Sequence, residues 1–288
     1  MPLADDLSPL AGTEVHYLRS EHVGDEFKIF VGHCGDRADG APVPVFYVSD
    51  ANGLFASAVD IVRLLQQSAH VPPMLVVGIG YRMGGIADTD VIRSRDFTPT
   101  HDDLYTTVFP DVTATGGAPN FLAFIRAELQ PWVNANYNVD PDDSAYFGHS
   151  FGGLFGTWVM LTEPETFRRY GIGSPSLWWH ANMMFEYERQ YAKTHDDLSA
   201  KVFIGVGALE DHAGRLHEAS RLSAYAQTVA GIRYIDMVAD TVRMVSALRR
   251  RRYPSLEIES AIFPDEFHIT VAQLNLSRSL RYLFDAPR

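Results

Sequence analysis

The chain contains 288 residues, of which 46% are hydrophobic, 12% aromatic and 21% charged, and its formal net charge is −12. This composition is too apolar for a disordered chain, and the length permits one large domain or two small ones. The negative charge argues against nucleic acid or an anionic membrane as the main partner, because both are bound through basic surfaces. The single cysteine, Cys34, excludes an internal disulfide bond.

The sequence shows neither a targeting segment nor a membrane span. Its first residues lack the basic and apolar regions of a secretory signal, and the longest apolar stretch, 74–79, is far too short to cross a bilayer. We therefore expect a cytoplasmic protein without a membrane partner. No linker, repeat or change of composition divides the chain, which predicts a single domain over residues 1–288.

Strand patterns alternate with helix patterns along the chain. Strands are predicted over 14–18, 26–31, 43–49, 73–81, 144–148, 170–174, 201–206 and 256–263. Helices are predicted over 54–67 and 120–136, from 151 onward, and over 215–229, 235–251 and 269–284. The stretch 82–117 has no sustained period and is predicted to be a long irregular loop.

The order of these elements predicts an α/β fold. Too few residues separate the first two strands for a helical crossover, so these strands are expected to be antiparallel. The run 73–81 is apolar without alternation, which is typical of a strand covered on both faces. We therefore predict a mostly parallel central sheet with antiparallel N-terminal strands and helices on both faces.

One motif indicates a nucleophile. The sequence Gly-His-Ser-Phe-Gly, centred on Ser150, lies between a predicted strand and a predicted helix, which is the position of a G-x-S-x-G nucleophile elbow. In such a turn the serine is exposed on a strained backbone, and the N–H groups of the following helix point toward a developing oxyanion. The alternative is an ordinary glycine-rich turn.

Candidates for an acid and a base follow the serine in the order that α/β-hydrolases use, which is serine, acid, histidine. His268 comes after the last predicted strand and is the candidate base, whereas His212 and His217 come too early. Glu210 and Asp211 both follow a predicted strand, and spacing does not choose between them as the acid. The spacing of His212 and His217 places them on different faces of a helix, so no metal site is expected.

An oxyanion needs at least two N–H donors. The N–H of Phe151, directly after the candidate nucleophile, is one candidate. The second donor normally comes from the loop after the third strand, where Ala51 and Asn52 are the candidates.

Several blocks of sequence carry a family resemblance. They include Tyr-Val-Ser-Asp-Ala-Asn-Gly-Leu-Phe at 47–55, Arg-Ser-Arg-Asp-Phe-Thr-Pro at 93–99, Ser-Pro-Ser-Leu-Trp-Trp at 174–179 and Glu-Phe-His at 266–268. With the elbow, these blocks resemble the putative-esterase family of α/β-hydrolases. The similarity is greatest to its siderophore esterases, which act on enterobactin-, salmochelin- and bacillibactin-type trilactones. The resemblance covers residues 40–285.

The resemblance implies an α/β-hydrolase fold with Ser150 as nucleophile and His268 as base, and it favours Glu210 as the acid. It also implies that four substrate-binding residues lie close to the serine: Arg93, Arg95, Trp178 and Trp179. From the residues alone, the tryptophans are equally candidates for core positions and the arginines for ion pairs with Asp96 or its neighbours. Family members usually have Asp-Gly where this chain has Asp50-Ala51.

These observations predict a serine esterase that cleaves a small-molecule ester without a cofactor, and the resemblance implies a siderophore trilactone or a related ester as substrate. An acyltransferase, thioesterase or peptidase on the same residues is the alternative, and a non-catalytic ligand-binding protein of the same fold is a third. Segments 82–117, 174–195 and 211–250 are predicted to form lid or cap elements. The oligomeric state stays open.

Overall fold

The computed structural model of the protein describes residues 10–82, 86–109, 111–112, 114–219 and 235–285. Eight strands form one sheet. The strands are β1 (Thr13–Arg19), β2 (Glu26–Cys34), β3 (Val43–Val48), β4 (Met74–Tyr81), β5 (Val139–His149), β6 (Arg169–Gly173), β7 (Ala200–Gly207) and β8 (Leu256–Phe263).

Helices fill most of the connections between the strands. They are α1 (Ala51–Gln67), α2 (Ile86–Phe97), α3 (Asp103–Val108), α4 (Ala118–Phe124), α5 (Gln130–Asn136), α6 (Phe151–Thr162), α7 (Trp179–Asn182), α8 (Met184–Thr194), α9 (His212–Ala219), α10 (Met237–Arg251) and α11 (Val271–Phe284). Short 3₁₀ turns cover Pro164–Thr166 and Ala208–Glu210.

The strand order is β1-β2-β4-β3-β5-β6-β7-β8. The pairs β1–β2 and β2–β4 are antiparallel, and all other neighbouring pairs are parallel. The predicted fold class is therefore confirmed, including the antiparallel N-terminal strands. Because β3 to β8 all run in the same direction, the loops that follow them lie along one edge of the sheet.

Apolar side chains pack on both faces of the sheet. Phe46 and Tyr47 are neighbours in β3 and point to opposite faces, since side chains alternate along a strand. Phe46 packs with Phe55 of α1 and Leu280 of α11, whereas Tyr47 belongs to the cluster that contains Phe155 of α6. Every residue of β4 is buried, as the uninterrupted apolar run predicted.

The helix predicted over 120–136 forms with one irregularity. Helices α4 and α5 are joined without a break by a π-helical turn, Ile125–Leu129. Pro131 follows this turn and has no N–H with which to continue the regular hydrogen-bond ladder, so the turn widens just before it. The predicted apolar face is nevertheless buried, with Phe121 and Leu129 both fully inaccessible.

The prediction of a long irregular loop over 82–117 is wrong. This segment contains α2 and α3. The inward positions of α2 include Arg93, Ser94 and Asp96, which are all buried. Because these inward residues are polar, the helix has no apolar stripe, and its period is invisible in a hydrophobicity pattern.

The other two predicted lid or cap segments are partly helical. Segment 174–195 contains α7 and α8, and segment 211–250 contains α9 and most of α10. Residues 220–234, and with them most of the helix predicted over 215–229, lie outside the described residues. A lid or cap role for the three segments stays a prediction. Within the described ranges, no helix is both long and apolar enough to cross a membrane.

The packing of Phe27 gives a test of the core. This ring is fully buried and stacks on Phe124 with centroids 4.3 Å apart. Phe27→Ala should lower the free energy of unfolding by about 3–5 kcal/mol, because truncation leaves a cavity. Leu64→Ala is the control, because Leu64 is 62% exposed on α1 and its loss should change stability by less than about 0.5 kcal/mol. Urea unfolding measures both, and equal losses would contradict this account of the core.

Candidate active site

Ser150 lies between β5 and α6 on strained backbone. Its φ of 61° and ψ of −117° fall in a region that residues other than glycine rarely adopt. Its N–H donates to the carbonyl of Gly173 at 2.9 Å, which fixes the turn against β6. A Cβ on Gly148 would collide with the carbonyl of Gly152, so strand and helix approach each other as closely as the G-x-S-x-G pattern indicated.

His268 and Glu210 meet at the same edge of the sheet. His268 lies in the turn after β8, and Glu210 ends the 3₁₀ turn after β7, the parallel neighbour of β8. The two side chains are joined by a hydrogen bond of 2.5 Å between Nδ1 of His268 and Oε2 of Glu210. When Nδ1 donates to the carboxylate, Nε2 carries the lone pair that a general base needs.

Glu210 is completely buried. Its other oxygen, Oε1, accepts hydrogen bonds from the Ser174 hydroxyl at 2.6 Å and from the Gly207 N–H at 2.7 Å. A buried carboxylate is costly unless it is paired and hydrogen-bonded, so these donors and His268 compensate its burial. Burial lowers the pKa of the nearby Arg215, and the charge of Glu210 is the main effect opposing this shift.

Asp211, the rival acid, has a different role. Its Oδ1 accepts from the N–H of Gly214 at 2.7 Å and thereby caps the first turn of α9. The structure therefore brings Glu210, rather than Asp211, to His268, and its role as the acid stays a prediction.

Two helix N-termini converge beside Ser150. Because β3 and β5 are parallel neighbours, α1, which begins at Ala51, and α6, which begins at Phe151, start at the same edge of the sheet. The first N–H groups of a helix have no acceptor within it. This placement suits the predicted oxyanion donors. The carboxamide of Asn52 is bonded to the backbone of Tyr81 at both its nitrogen (2.9 Å) and its oxygen (2.7 Å), so its backbone N–H is the group to consider.

Arg93 binds the loop that precedes α1. Its Nε and Nη2 atoms lie 2.8 and 2.9 Å from the two carboxylate oxygens of Asp50, and both residues are buried. The same Nη2 is 3.5 Å from the carbonyl of His149 at the end of β5. One guanidinium thus contacts the side chain of Asp50, which precedes α1, and the backbone at the end of β5, which precedes Ser150. Arg93 is ion-paired with Asp50, a partner that the sequence did not indicate, and a substrate contact by Arg93 stays a prediction.

Arg95 is also paired with carboxylates. Its Nε lies 2.7 Å from Asp96, and its terminal nitrogens lie 3.2 Å from Asp25. Asp96 is fully buried, which raises its pKa, and it also accepts the hydroxyl of Tyr81 at 3.0 Å. The charges of both arginines are therefore balanced within the protein. Substrate binding by Arg95, whose side chain is 28% exposed, stays a prediction.

Trp178 and Trp179 belong to a group of rings beside Phe151, the residue that follows the candidate nucleophile. This aromatic cluster consists of Tyr105, Phe109, Phe151, Trp178 and Trp179, all of them buried. The ring centroid of Phe151 lies 5.8 Å from that of Trp178 and 5.4 Å from that of Trp179. Since Phe151 follows Ser150 directly, the cluster supports the serine turn from one side. Contact between the tryptophans and substrate stays a prediction.

Two serines near the site have contacts that sequence reasoning missed. Ser174 donates to Glu210, as described above, and has a positive φ of 40°. Ser176 places its hydroxyl 3.5 Å from that of Ser150, and its N–H donates to the Ser150 carbonyl at 3.1 Å. The Ser-Pro-Ser block was recognised as part of the family resemblance. The block directly follows a predicted strand, and this position was the signal from which its hydroxyls could have been placed at the site.

His212 and His217, considered above as metal ligands, both lie on α9. Within the described part of the chain, no group of three His, Cys, Asp or Glu side chains is arranged to hold a metal ion.

A serine on a strained strand-to-helix turn, with a histidine–carboxylate pair on the loops of strands further along a parallel sheet, defines the α/β-hydrolase class of enzymes. The chain belongs to the Putative esterase family, whose sequence model matches residues 20–237. It is an ester hydrolase.

Similar proteins cover nearly the whole chain. The ferri-bacillibactin esterase BesA of Bacillus subtilis (strain 168) is 28% identical over 281 residues, which are 95% of this chain and 90% of that protein. The siderophore triacetylfusarinine C esterase of Aspergillus fumigatus is 28% identical over 288 residues, 96% of this chain and 94% of that protein. The crystal structure of the BES protein from Bacillus cereus matches with a TM-score of 0.80 at 27% identity, covering 97% of this chain and 98% of that one.

The buried pair of Arg93 and Asp50 gives a test by double-mutant cycle. Arg93→Met should lower the free energy of unfolding by about 3–5 kcal/mol, because it leaves the Asp50 carboxylate buried without its counter-ion. In the double variant with Asp50→Asn no such charge remains, so the loss should be smaller than the sum of the single losses. Denaturant unfolding of the four proteins measures the coupling. Strictly additive losses would show that the two side chains do not stabilise each other.

Proposed function

We propose that the protein hydrolyses an ester of a siderophore through an acyl-enzyme on Ser150. The observation that carries the proposal is the 2.5 Å bond between His268 and the buried Glu210, on the edge of the sheet where Ser150 occupies its strained turn. A histidine held in this way by a carboxylate has one tautomer and one orientation, which general-base catalysis requires.

In the proposed reaction, His268 takes the hydroxyl proton of Ser150 as the serine oxygen attacks the ester carbonyl. Glu210 stabilises the resulting imidazolium. The N–H of Phe151, with that of Ala51 or Asn52, stabilises the oxyanion. His268 then donates its proton to the leaving alkoxide, so the C–O bond breaks and an alcohol departs. Water, deprotonated by His268, attacks the acyl-enzyme and releases the acid and free Ser150.

The siderophore part of the proposal is supported by the relatives. The two proteins described above are named for esters of bacillibactin and triacetylfusarinine C, and each aligns over nine-tenths or more of its own length. A siderophore with its iron is a large ligand, so contacts remote from the ester can contribute to transition-state stabilisation. We propose that Trp178, Trp179 and Arg95 lie on the substrate side of the site and provide such contacts.

The catalytic roles can be tested with a fluorophosphonate probe and an aryl ester substrate. Ser150→Ala should abolish covalent labelling, because the probe needs the activated hydroxyl. Glu210→Gln should lower kcat by about 10²–10⁴-fold, because the imidazolium loses its carboxylate partner. Labelling of Ser150→Ala at the rate of the wild type would refute the assignment of the nucleophile.

Asp211→Asn is the matched control for the acid. Asp211 is next to Glu210, and the change removes the charge of the side chain that caps α9. The free energy of unfolding should therefore fall by up to about 1 kcal/mol. The kcat of Asp211→Asn should stay within about threefold of the wild type. If Asp211→Asn lost as much activity as Glu210→Gln, the choice of Glu210 as the acid would have no support.

The substrate class can be tested with a small panel of esters. The panel contains p-nitrophenyl acetate, bacillibactin and triacetylfusarinine C, the two siderophores each with and without Fe(III). At least one siderophore should be cleaved with a kcat/KM tenfold or more above that of the aryl ester, because the larger ligand offers more contacts. Product masses identify cleavage at the ester bond. Rapid turnover of the aryl ester with no cleavage of either siderophore would contradict the proposed substrate class.

A further inference from the structure

His149 is adjacent in sequence to the candidate nucleophile and in contact with the candidate base. It is the last residue of β5, directly before Ser150, and its side chain is buried. Its Nε2 is 2.8 Å from the backbone carbonyl of His268, and the two imidazole rings lie against each other with centroids 4.7 Å apart. Since a carbonyl can only accept, Nε2 of His149 carries the proton in this contact.

The protonation state of His149 is therefore defined. Within the described part of the chain, no donor reaches its Nδ1, which is buried. Burial holds the pKa of His149 well below its usual range, and His268 and Arg93 lower it further. The ring thus stays neutral, with the proton on Nε2, and does not add a second positive charge when His268 becomes an imidazolium.

The fit of the ring explains a glycine on the neighbouring strand. Gly173 pairs with His149 across β5 and β6. A Cβ at Gly173 would lie 3.0 Å from Nδ1 of His149 and 3.1 Å from the Cβ of Asn275 on α11. Any side chain at this position would press on the His149 ring, so the glycine keeps the ring where it contacts His268.

His268 is consequently held from two sides. Its imidazole is bonded to Glu210, and its backbone carbonyl is bonded to His149. The neighbouring Glu266 carbonyl also accepts from the N–H of Leu209, which anchors the start of this turn to the 3₁₀ turn after β7. Of these contacts, only the bond from His149 ties the turn to the strand that carries Ser150.

We propose that His149 is a positioning residue, whose Nε2–H holds the main chain of His268 at a fixed distance from Ser150. This inference rests on the proposed roles of Ser150 and His268. The expected consequence is kinetic, because a displacement of about 1 Å between reacting groups can lower a rate by about 10²-fold. Substrate binding should be little affected, since His149 is buried behind the reacting groups.

Two substitutions separate the hydrogen bond from the packing of the ring. His149→Gln keeps an N–H donor near the position of Nε2 but loses the ring. His149→Phe keeps a ring of similar size but loses the donor and also removes the unpartnered Nδ1. If the bond positions His268, His149→Phe should lower kcat for p-nitrophenyl acetate tenfold or more, with KM within about threefold of the wild type. His149→Gln should keep kcat within about threefold of the wild type.

Thermal unfolding completes the test. His149→Phe should keep a Tm close to that of the wild type, because removal of a buried polar atom without a partner, Nδ1, offsets the lost bond to the His268 carbonyl. A loss of kcat without a loss of Tm is a pattern that a purely structural residue does not give. Equal kcat for His149→Phe and the wild type, or equal losses of kcat in His149→Phe and His149→Gln, would overturn the inference.

The same experiment distinguishes this inference from the proposed function. Ser150→Ala is measured in parallel. If wild type and Ser150→Ala hydrolyse the ester equally, the proposed function fails whatever the His149 variants do. If only Ser150→Ala is inactive and all His149 variants match the wild type, the proposed function stands and the positioning role is wrong.

Discussion

The hydrogen bond between Glu210 and His268 is the interaction on which the site depends. It exists because β7 and β8 pair in parallel, with Gly207 opposite Phe263, so the loops that follow them emerge side by side. The carboxylate is fully buried and accepts from His268, Ser174 and Gly207. Loss of any of these donors would leave the buried Glu210 carboxylate with fewer hydrogen bonds. The loop after β6, which carries Ser174, and the loops after β7 and β8, which carry Glu210 and His268, therefore stabilise one another.

Backbone strain concentrates at the same edge of the sheet. Asp50, Ser150 and Ser174 follow β3, β5 and β6, and their φ values are 54°, 61° and 40°. Such conformations cost about 1–3 kcal/mol each in residues other than glycine. Each of the three has a side-chain contact that opposes relaxation: the ion pair of Asp50 with Arg93, the Ser174 bond to Glu210 and the contact of Ser150 with Ser176. Of the three, Ser150 is the proposed nucleophile, Asp50 directly precedes the candidate oxyanion donors, and Ser174 bonds to the proposed acid.

The sequence contained most of the architecture. Uninterrupted apolar runs identified the buried parallel strands, and the order of serine, carboxylates and histidine located the site at one edge. Spacing did not choose between Glu210 and Asp211, because adjacent residues in a tight turn point in different directions. Only the structure shows that Asp211 caps α9 and that Glu210 contacts His268. Helix α2 escaped detection because its inward residues, among them Arg93 and Asp96, are polar and satisfied by ion pairs.

Residues whose contacts come from distant parts of the chain gave no local signal. His149 was visible only as the variable position of the elbow motif, and its bond to His268 spans 119 positions. The pairing of Arg95 with Asp96 was indicated by their adjacent positions, but the other partners of these arginines, Asp50 and Asp25, lie far upstream and gave no signal. Hydrophobic periodicity predicts local secondary structure, whereas contacts between distant loops depend on the register of the sheet.

Rapid-quench mass spectrometry during turnover of a ferric siderophore ester tests the central claim most directly. The account predicts that acid quenching within the first turnover traps the acyl part of the substrate on the peptide containing Ser150, and that this adduct is absent in Ser150→Ala. It also predicts that turnover in H₂¹⁸O places ¹⁸O in the released acid, because water resolves the acyl-enzyme. An acyl group on another residue, or ester cleavage by Ser150→Ala at the wild-type rate, would contradict it.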